Sequence, residues 1–481
     1  MQKIQNLKVS LKNVGMLDEA EFEVGDLTII CGENNTGKTY ATYSLYGYLD
    51  FIRDINNQIY WNLAKNLKKI DMLDETTIKI QKKDMDSIVK KLLDTLQKEY
   101  KIKLPVILAC KESDFVNSDF SIKFTKSIIT HIKNTKNFFS RAVHFDIIND
   151  ETYYLFNYAK SQRMPNETTQ KENFEHKRYT FISFLLRYIA FVLYPRVSIL
   201  STERTGASMF YREVFGNRSR IVEKISMASL ENVMEVTNEL QDSFFMHPLP
   251  IIDNMAFASS CIKIAKQDSF IAKNSSSPLY NEIIKLFYTL VGGTYKATDA
   301  GILFKPKNSK NYYPIEIASS SVRSLLMLNL YILNIAQKGD ILMIDEPELN
   351  LHPNNQILIG RLIALLVNAG VKVFITTHSD YIVREIGNCI ILNQLKSEQI
   401  AMLKKYDYNE HYKLDCKKVR AYIAKYDKKT KKNTLNPVEI TQENGIAMET
   451  FNETINMTAK IDQEITKIML GSKNDNEIKK F

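Results

Sequence analysis

Apolar and polar residues alternate from the start of the chain: Ile4, Leu7, Val9 and Leu11, a turn at Gly15, then Ala20, Phe22 and Val24. A period of two predicts two paired strands. The continuous apolar run Leu27-Thr28-Ile29-Ile30-Cys31 follows and reads as a strand leading to a helix-like segment from Lys38 to Leu49. Short apolar runs return at Val197–Leu200, Ile341–Ile344 and Val371–Thr376, the pattern of strands buried in a parallel sheet. Helices are expected over Leu325–Ala336 and from about Asn355 to Asn368, the second stopping at Gly370.

Between these pieces the pattern changes. No glycine occurs between Gly47 and Gly206, and Ile88, Leu92, Leu93 and Leu96 recur at helical spacing beside Lys90, Lys91 and Lys98. A sustained heptad is missing, so a compact insertion is expected rather than a coiled-coil arm. The polar run Arg163–Gln170 predicts a loop within it. Residues 207–314 read as helical with breaks at Pro248-Leu249-Pro250 and Ser275–Pro278, then a hairpin after Gly292-Gly293. The tail predicts a small hairpin around 419–440 and a helix over 448–470. The expected layout is a head lobe at 1–49, a helical insertion at 50–195 and a return strand at 196–206. A second mainly helical segment at 207–314, a second head lobe at 315–392 and a basic cap at 393–481 complete it.

The chemistry sits at the ends of the apolar runs. Gly32-Glu33-Asn34-Asn35-Thr36-Gly37-Lys38-Thr39 fits G-x-x-x-x-G-K-[ST], between a strand and a helix. Its N–H groups and the helix N-terminus suit phosphate oxygens; Lys38 would reach the β- and γ-phosphates, and Thr39 would ligate Mg²⁺. Ile341–Ile344 ends in Asp345-Glu346, placing a Mg²⁺ carboxylate and a water-orienting base beside that loop. Lys38 and Glu346 are thus catalytic candidates, and ATP with Mg²⁺ the expected ligands. The strand at 197–200 delivers Glu203 and Arg204, either to the sheet's C-terminal edge or to an internal Glu–Arg ion pair.

Composition narrows the class. The 481 residues allow two or three domains, and 44% hydrophobic with 25% charged residues describes an ordinary globular protein. The most apolar window, Phe181–Tyr194, is too short for a membrane span and contains Arg187. The N-terminus carries no apolar signal core, and five scattered cysteines lack any C-x-x-C pair. A cytoplasmic protein without membrane attachment is expected. From Lys404 to Lys432 eleven Lys or Arg face four Asp or Glu, within a net charge of +9. That run is either a solvated surface or, with Tyr406, Tyr408, Tyr412, Tyr422 and Tyr426 interleaved, a nucleic-acid patch.

With Glu346-Pro347-Glu348-Leu349-Asn350-Leu351-His352-Pro353 following at once and Thr377-His378-Ser379 ending the next strand, the chain resembles ABC-type AAA-family ATPases of the OLD-like and SMC-like group. It looks most like the stand-alone ATPase subunits of bacterial anti-phage systems, such as the PtuA subunit of Septu. The resemblance implies an α/β, P-loop head with a mixed sheet and flanking helices. It implies that Asn350 lies in a D-loop and that His378, in a switch loop, contacts the γ-phosphate as a third catalytic candidate. It places Glu203 and Arg204 at the strand end where ABC-type heads carry a Q-loop. It also implies a signature loop, for which Ser319-Ser320-Ser321 with Arg323 is a degenerate match or an ordinary serine-capped helix. Two heads would then close on ATP as a homodimer or higher oligomer. OLD nucleases carry a D-x-D pair after the switch histidine, whereas Asp407, Asp415 and Asp427 stand singly here. A separately encoded effector such as a nuclease is the expected partner. The rival expectations are an SMC- or RecF-like ATPase that binds DNA directly and, more remotely, a transporter's ATPase subunit.

Overall fold

The computed structural model describes residues 7–124, 144–159, 174–209, 247–447 and 457–468, apart from 56, 68–69, 75–76 and 300. The expected loop at 163–170 and the ends of the expected 448–470 helix lie outside the described residues.

Leu7–Val14 (β1) and Leu17–Val24 (β2) pair antiparallel, with alternate side chains buried as their period predicts. Leu27–Gly32 (β3) is buried at every residue but the last and leads to the helix Lys38–Asp54 (α1). Val197–Leu200 (β5), Ile341–Asp345 (β6) and Lys372–Thr377 (β7) lie parallel to it, in the order β3-β7-β6-β5. β6 divides its side chains between two cores. Ile341 and Met343 join the apolar cluster that contains Leu45, Leu49 and Ile52 of α1. Leu342 and Ile344 join the cluster built with Pro353–Ala369 (α3) and Asp380–Leu392 (α4). Helices therefore cover both faces, which is why these strands read as unbroken apolar runs.

The expected α/β fold, a mixed sheet with flanking helices, is present, with two departures in detail. Residues 50–195 are helical over 57–65, 82–107 and 174–193, as expected. They also contain strands that the helical expectation left out. Asp119–Phe124 (β4) pairs antiparallel with β1 and extends the main sheet, burying Phe120 and Ile122. Segments 71–72, 77–81, 144–149 and 153–159 form a separate antiparallel sheet. Thr77-Ile78-Lys79-Ile80-Gln81 does alternate, but over too few residues to outweigh the surrounding helical spacing.

The second departure concerns the basic segment at 393–481, expected as a cap. Val419–Asp427 (β8) and Lys432–Pro437 (β9) form the expected hairpin, but it is inserted in the middle of the main sheet. β8 lies parallel to β3, and β9 bridges to β2. The full order is β4-β1-β2-β9-β8-β3-β7-β6-β5. Residues 457–468 are helical and exposed along their length. No described helix is long and apolar enough to cross a membrane.

The start of the basic run is held by a buried ion pair. Arg361 Nε of α3 donates to Glu385 Oε1 of α4 at 2.7 Å, and Tyr408 Oη donates to the same carboxylate at 2.7 Å. Arg361 also donates to the Tyr406 carbonyl and lies 4.3 Å over the Tyr408 ring. Tyr412 donates to Glu282, and Tyr422 Oη accepts from the Glu23 N–H. Three of the five interleaved tyrosines are thereby internal, while Tyr406 and Tyr426 remain exposed. Glu385→Ala, which leaves Arg361 buried without its carboxylate, should lower stability by about 3–5 kcal/mol. Urea denaturation should show the loss as a lower midpoint at unchanged slope, and an unmoved midpoint would contradict the assignment.

Candidate nucleotide site

The parallel register brings four strand ends to one edge. Cys31 pairs with Thr377, Thr376 with Asp345, and Ile344 with Leu200. Chain segments far apart in sequence therefore end together at the C-terminal edge, the usual place for a ligand in such sheets.

The glycine loop turns directly off β3. Gly32, Asn35 and Gly37 have φ of 138°, 61° and 92°, left-handed values that let the chain fold back above the helix. Gly37 is the N-cap of α1 and makes no side-chain capping bond, so the first N–H groups of the helix lack that partner. A side chain at Gly32 would meet the Ala424 carbonyl oxygen of β8 at 2.1 Å. Thr36 Oγ1 donates to the Glu33 carbonyl at 2.7 Å and braces the turn. Lys38 Nζ donates to the Gly32 and Glu33 carbonyls at 3.1 and 2.6 Å. Burial lowers its pKa, while Glu346 and Asp345 nearby act in the opposite sense. Glu33, Asn34, Asn35 and Thr39 are exposed.

Opposite this loop, Asp345 is buried and its Oδ1 accepts a hydrogen bond from the Thr376 hydroxyl. Burial raises its pKa to about 6. Glu346 takes a left-handed φ of 49° and donates its N–H to the Thr376 carbonyl at 3.0 Å. Its Oε1 stands 3.7 Å from His378 Nε2. Burial, reinforced by Lys38, lowers the His378 pKa, favouring the neutral imidazole. The glycine loop, the two acids and His378 thus lie together at one edge.

Glu348, whose role was not legible in the sequence, organises the histidine loop. Its Oε2 accepts from Thr377 Oγ1 at 2.8 Å and its Oε1 from the His378 N–H at 2.6 Å. Gln356 adds a second link, accepting from Ser379 Oγ at 2.6 Å and donating to the Leu351 carbonyl at 2.9 Å. Asn350, with a left-handed φ of 62°, is exposed and its Nδ2 lies 3.5 Å from Thr205 Oγ1.

Arg204 is buried at the strand ends, and Nε, Nη1 and Nη2 all donate to backbone carbonyls, two of them those of Asp345 and Glu346. Glu203 beside it is exposed. The serine stretch forms a conventional cap, with Ser319 Oγ accepting from the Val322 N–H at 3.4 Å at the start of Ser320–Leu330 (α2). Ser319 Oγ lies 2.9 Å from Ser321 Oγ, and Arg323 folds back onto the Ala318 and Glu316 carbonyls. Ser319 and Ser320 are open to solvent.

A P-loop set beside a strand-end acid pair on a mixed sheet defines the class of protein as one with a P-loop ATPase-type head fold. Residues 3–383 match the AAA ATPase domain family, and the chain belongs to it. No curated protein matches the chain. Among solved structures, an Smc head bound to the C-terminal winged-helix domain of ScpA is 10% identical, with a TM-score of 0.34 over 91% of this chain and 98% of that one. An Smc head with an extended coiled coil, bound to the C-terminal domain of ScpA derived from Pyrococcus furiosus, is 10% identical with a TM-score of 0.32, covering 95% and 99%. The SMC head from Thermotoga maritima is 10% identical with a TM-score of 0.30, covering 91% and 100%. Family membership rests on the domain match, and the fold on the sheet described above.

Asp345 yields a prediction for the metal- and nucleotide-free protein. Because its pKa is raised from 3.8 to about 6, its stabilising contribution is complete below pH 4 and lost as pH rises through 6. Asp345→Asn should therefore stabilise the free protein at pH 7.5 by up to about 3 kcal/mol. That advantage should fade toward pH 4. Denaturation in EDTA at both pH values checks it, and equal stability at pH 7.5 would contradict the burial argument.

Proposed function

We propose that the chain binds ATP with Mg²⁺ at this edge and hydrolyses it to ADP and phosphate. The observation that carries the reading is the convergence of Lys38, Asp345, Glu346 and His378, with Glu346 Oε1 3.7 Å from His378 Nε2. The uncapped N–H groups at Gly37–Thr39 and the Lys38 ammonium would take the phosphates. Lys38 would leave the Gly32 and Glu33 carbonyls to do so. The Thr39 hydroxyl and Asp345 carboxylate would hold Mg²⁺, whose charge offsets that of the phosphates. Glu346 Oε1 would orient and deprotonate the attacking water, and neutral His378 would sit against the terminal phosphate.

In the same reading the site is completed by a second copy. The exposed Ser319 and Ser320, with Ser321 and Arg323, would face the partner's ATP, and Asn350 would lie at the same interface. Self-association would then be the output, holding or releasing a separately encoded effector such as a nuclease in an anti-phage complex. The likeness of Glu346–Pro353 to the corresponding stretch of OLD-like defence ATPases supports that part.

Glu346→Gln should retain ATP binding, lower kcat by about 10²–10⁴-fold and accumulate an ATP-dependent dimer. Lys38→Ala should bind no ATP. Turnover assays, equilibrium binding and light scattering read the three quantities. Normal hydrolysis by Glu346→Gln would remove Glu346 as the base, and co-purification without any partner or ATP-dependent assembly would sink the effector reading.

One feature favours direct DNA binding as a second reading. Ala424 pairs with Gly32, so β8 continues past the glycine loop to Asp427 and carries Lys428–Lys432 to that edge. Replacing Lys425, Lys428, Lys429, Lys431 and Lys432 with Gln should then abolish salt-sensitive duplex binding. Unchanged binding would exclude the hairpin as the contact.

A further inference from the structure

Arg204 is buried in the protein's interior, and four backbone carbonyls share its guanidinium. Nε donates to Ser324 at 3.3 Å, Nη1 to Ser201 at 2.9 Å and to Asp345 at 2.7 Å, and Nη2 to Glu346 at 2.7 Å. These carbonyls belong to three segments: the residue after β5, the first turns of α2, and the end of β6 with the residue after it. Only a planar fork of five donors can serve such a spread of acceptors at once.

The neighbours reinforce the same junction. Ser324 Oγ donates to the Ser321 carbonyl at 2.9 Å and reaches the Leu349 carbonyl at 3.4 Å. The Asn350 amide stands 3.5 Å from the hydroxyl of Thr205, the residue beside Arg204. Glu346 holds a left-handed φ that a non-glycine residue rarely adopts, and its carbonyl is one of the four that Arg204 takes.

We propose that Arg204 is a positioning residue that locks the Asp345-Glu346 turn to the serine-capped end of α2, so that the two move as one unit. A displacement of the Ser319–Ser321 turn is then transmitted through one side chain to the backbone that aims Glu346. The turnover consequence rests on the ATPase reading above, whereas the mechanical coupling does not.

Hydrogen exchange on the full-length, nucleotide-free chain tests the coupling. In the wild type, segments 319–325 and 345–351 should open with equal free energies across a denaturant series. Independent opening would overturn the proposal without any variant. In Arg204→Lys, exchange in both segments should accelerate at least about tenfold together, with 359–367 unchanged. Acceleration confined to 201–208, or spread evenly over the chain, would overturn it. Where the wild type hydrolyses ATP, Arg204→Lys should lose at least about 30-fold in kcat with KM within about threefold, the pattern of an interaction that acts in the transition state alone. Unchanged kcat, or KM raised in step with its fall, would also overturn it. A wild type without turnover would defeat the ATPase reading and leave the exchange result to decide the role of Arg204.

Discussion

The structure depends on the position of β3 between β7 and β8. Both neighbours are parallel to it, and both come from the second half of the chain. The pairing of Gly32 with Ala424 allows no side chain at Gly32. The start of the glycine loop is therefore shaped by a strand nearly four hundred residues later. The β7 pairing sets the level at which Thr376, Asp345 and His378 stand relative to that loop. A slip of one residue would turn every side chain of β3 to the opposite core.

That arrangement gathers charge where water is scarce. Lys38, Asp345 and Arg204 are buried within one region of the sheet edge. Burial lowers the pKa of Lys38 and raises that of Asp345. Backbone carbonyls satisfy the two cations, and hydroxyl and N–H donors satisfy Asp345 and Glu348. Such groups oppose folding in the free protein and suit a site prepared for a highly charged ligand. Among the described residues, neutral carbonyls take the hydrogen bonds of Arg204 and tie their segments together.

Much of this was legible in the sequence, for identifiable reasons. Gly32–Thr39 follows a strand pattern and precedes a helix pattern, and Asp345-Glu346 ends four consecutive apolar residues. Both are local codes, in which side-chain type and neighbouring periodicity carry the message. The strand at 77–81 and the strand β4 were masked by the helical spacing around them. The lysine run suggested a cap, yet its strands lie in the sheet, because Val419, Ala421 and Ala424 are buried while the lysines project outward. The direction of Arg204 stayed open between the site and the interior, since a single charged residue after a strand does not reveal which way it turns.

The sequence by itself determined the local elements: the strand–loop–helix around Lys38, the acid pair, the histidine at a strand end, and a P-loop head as the class of fold. Their backbone needs and periods are set by residues within a few positions of one another. Only the tertiary structure decided which strands became neighbours, how Glu348 grips the loop of His378, and that Arg204 faces inward to four carbonyls. Those outcomes come from pairing and burial between segments that lie 30 residues apart for Glu348 and His378 and 142 apart for Arg204 and Glu346, and no local pattern records such partners.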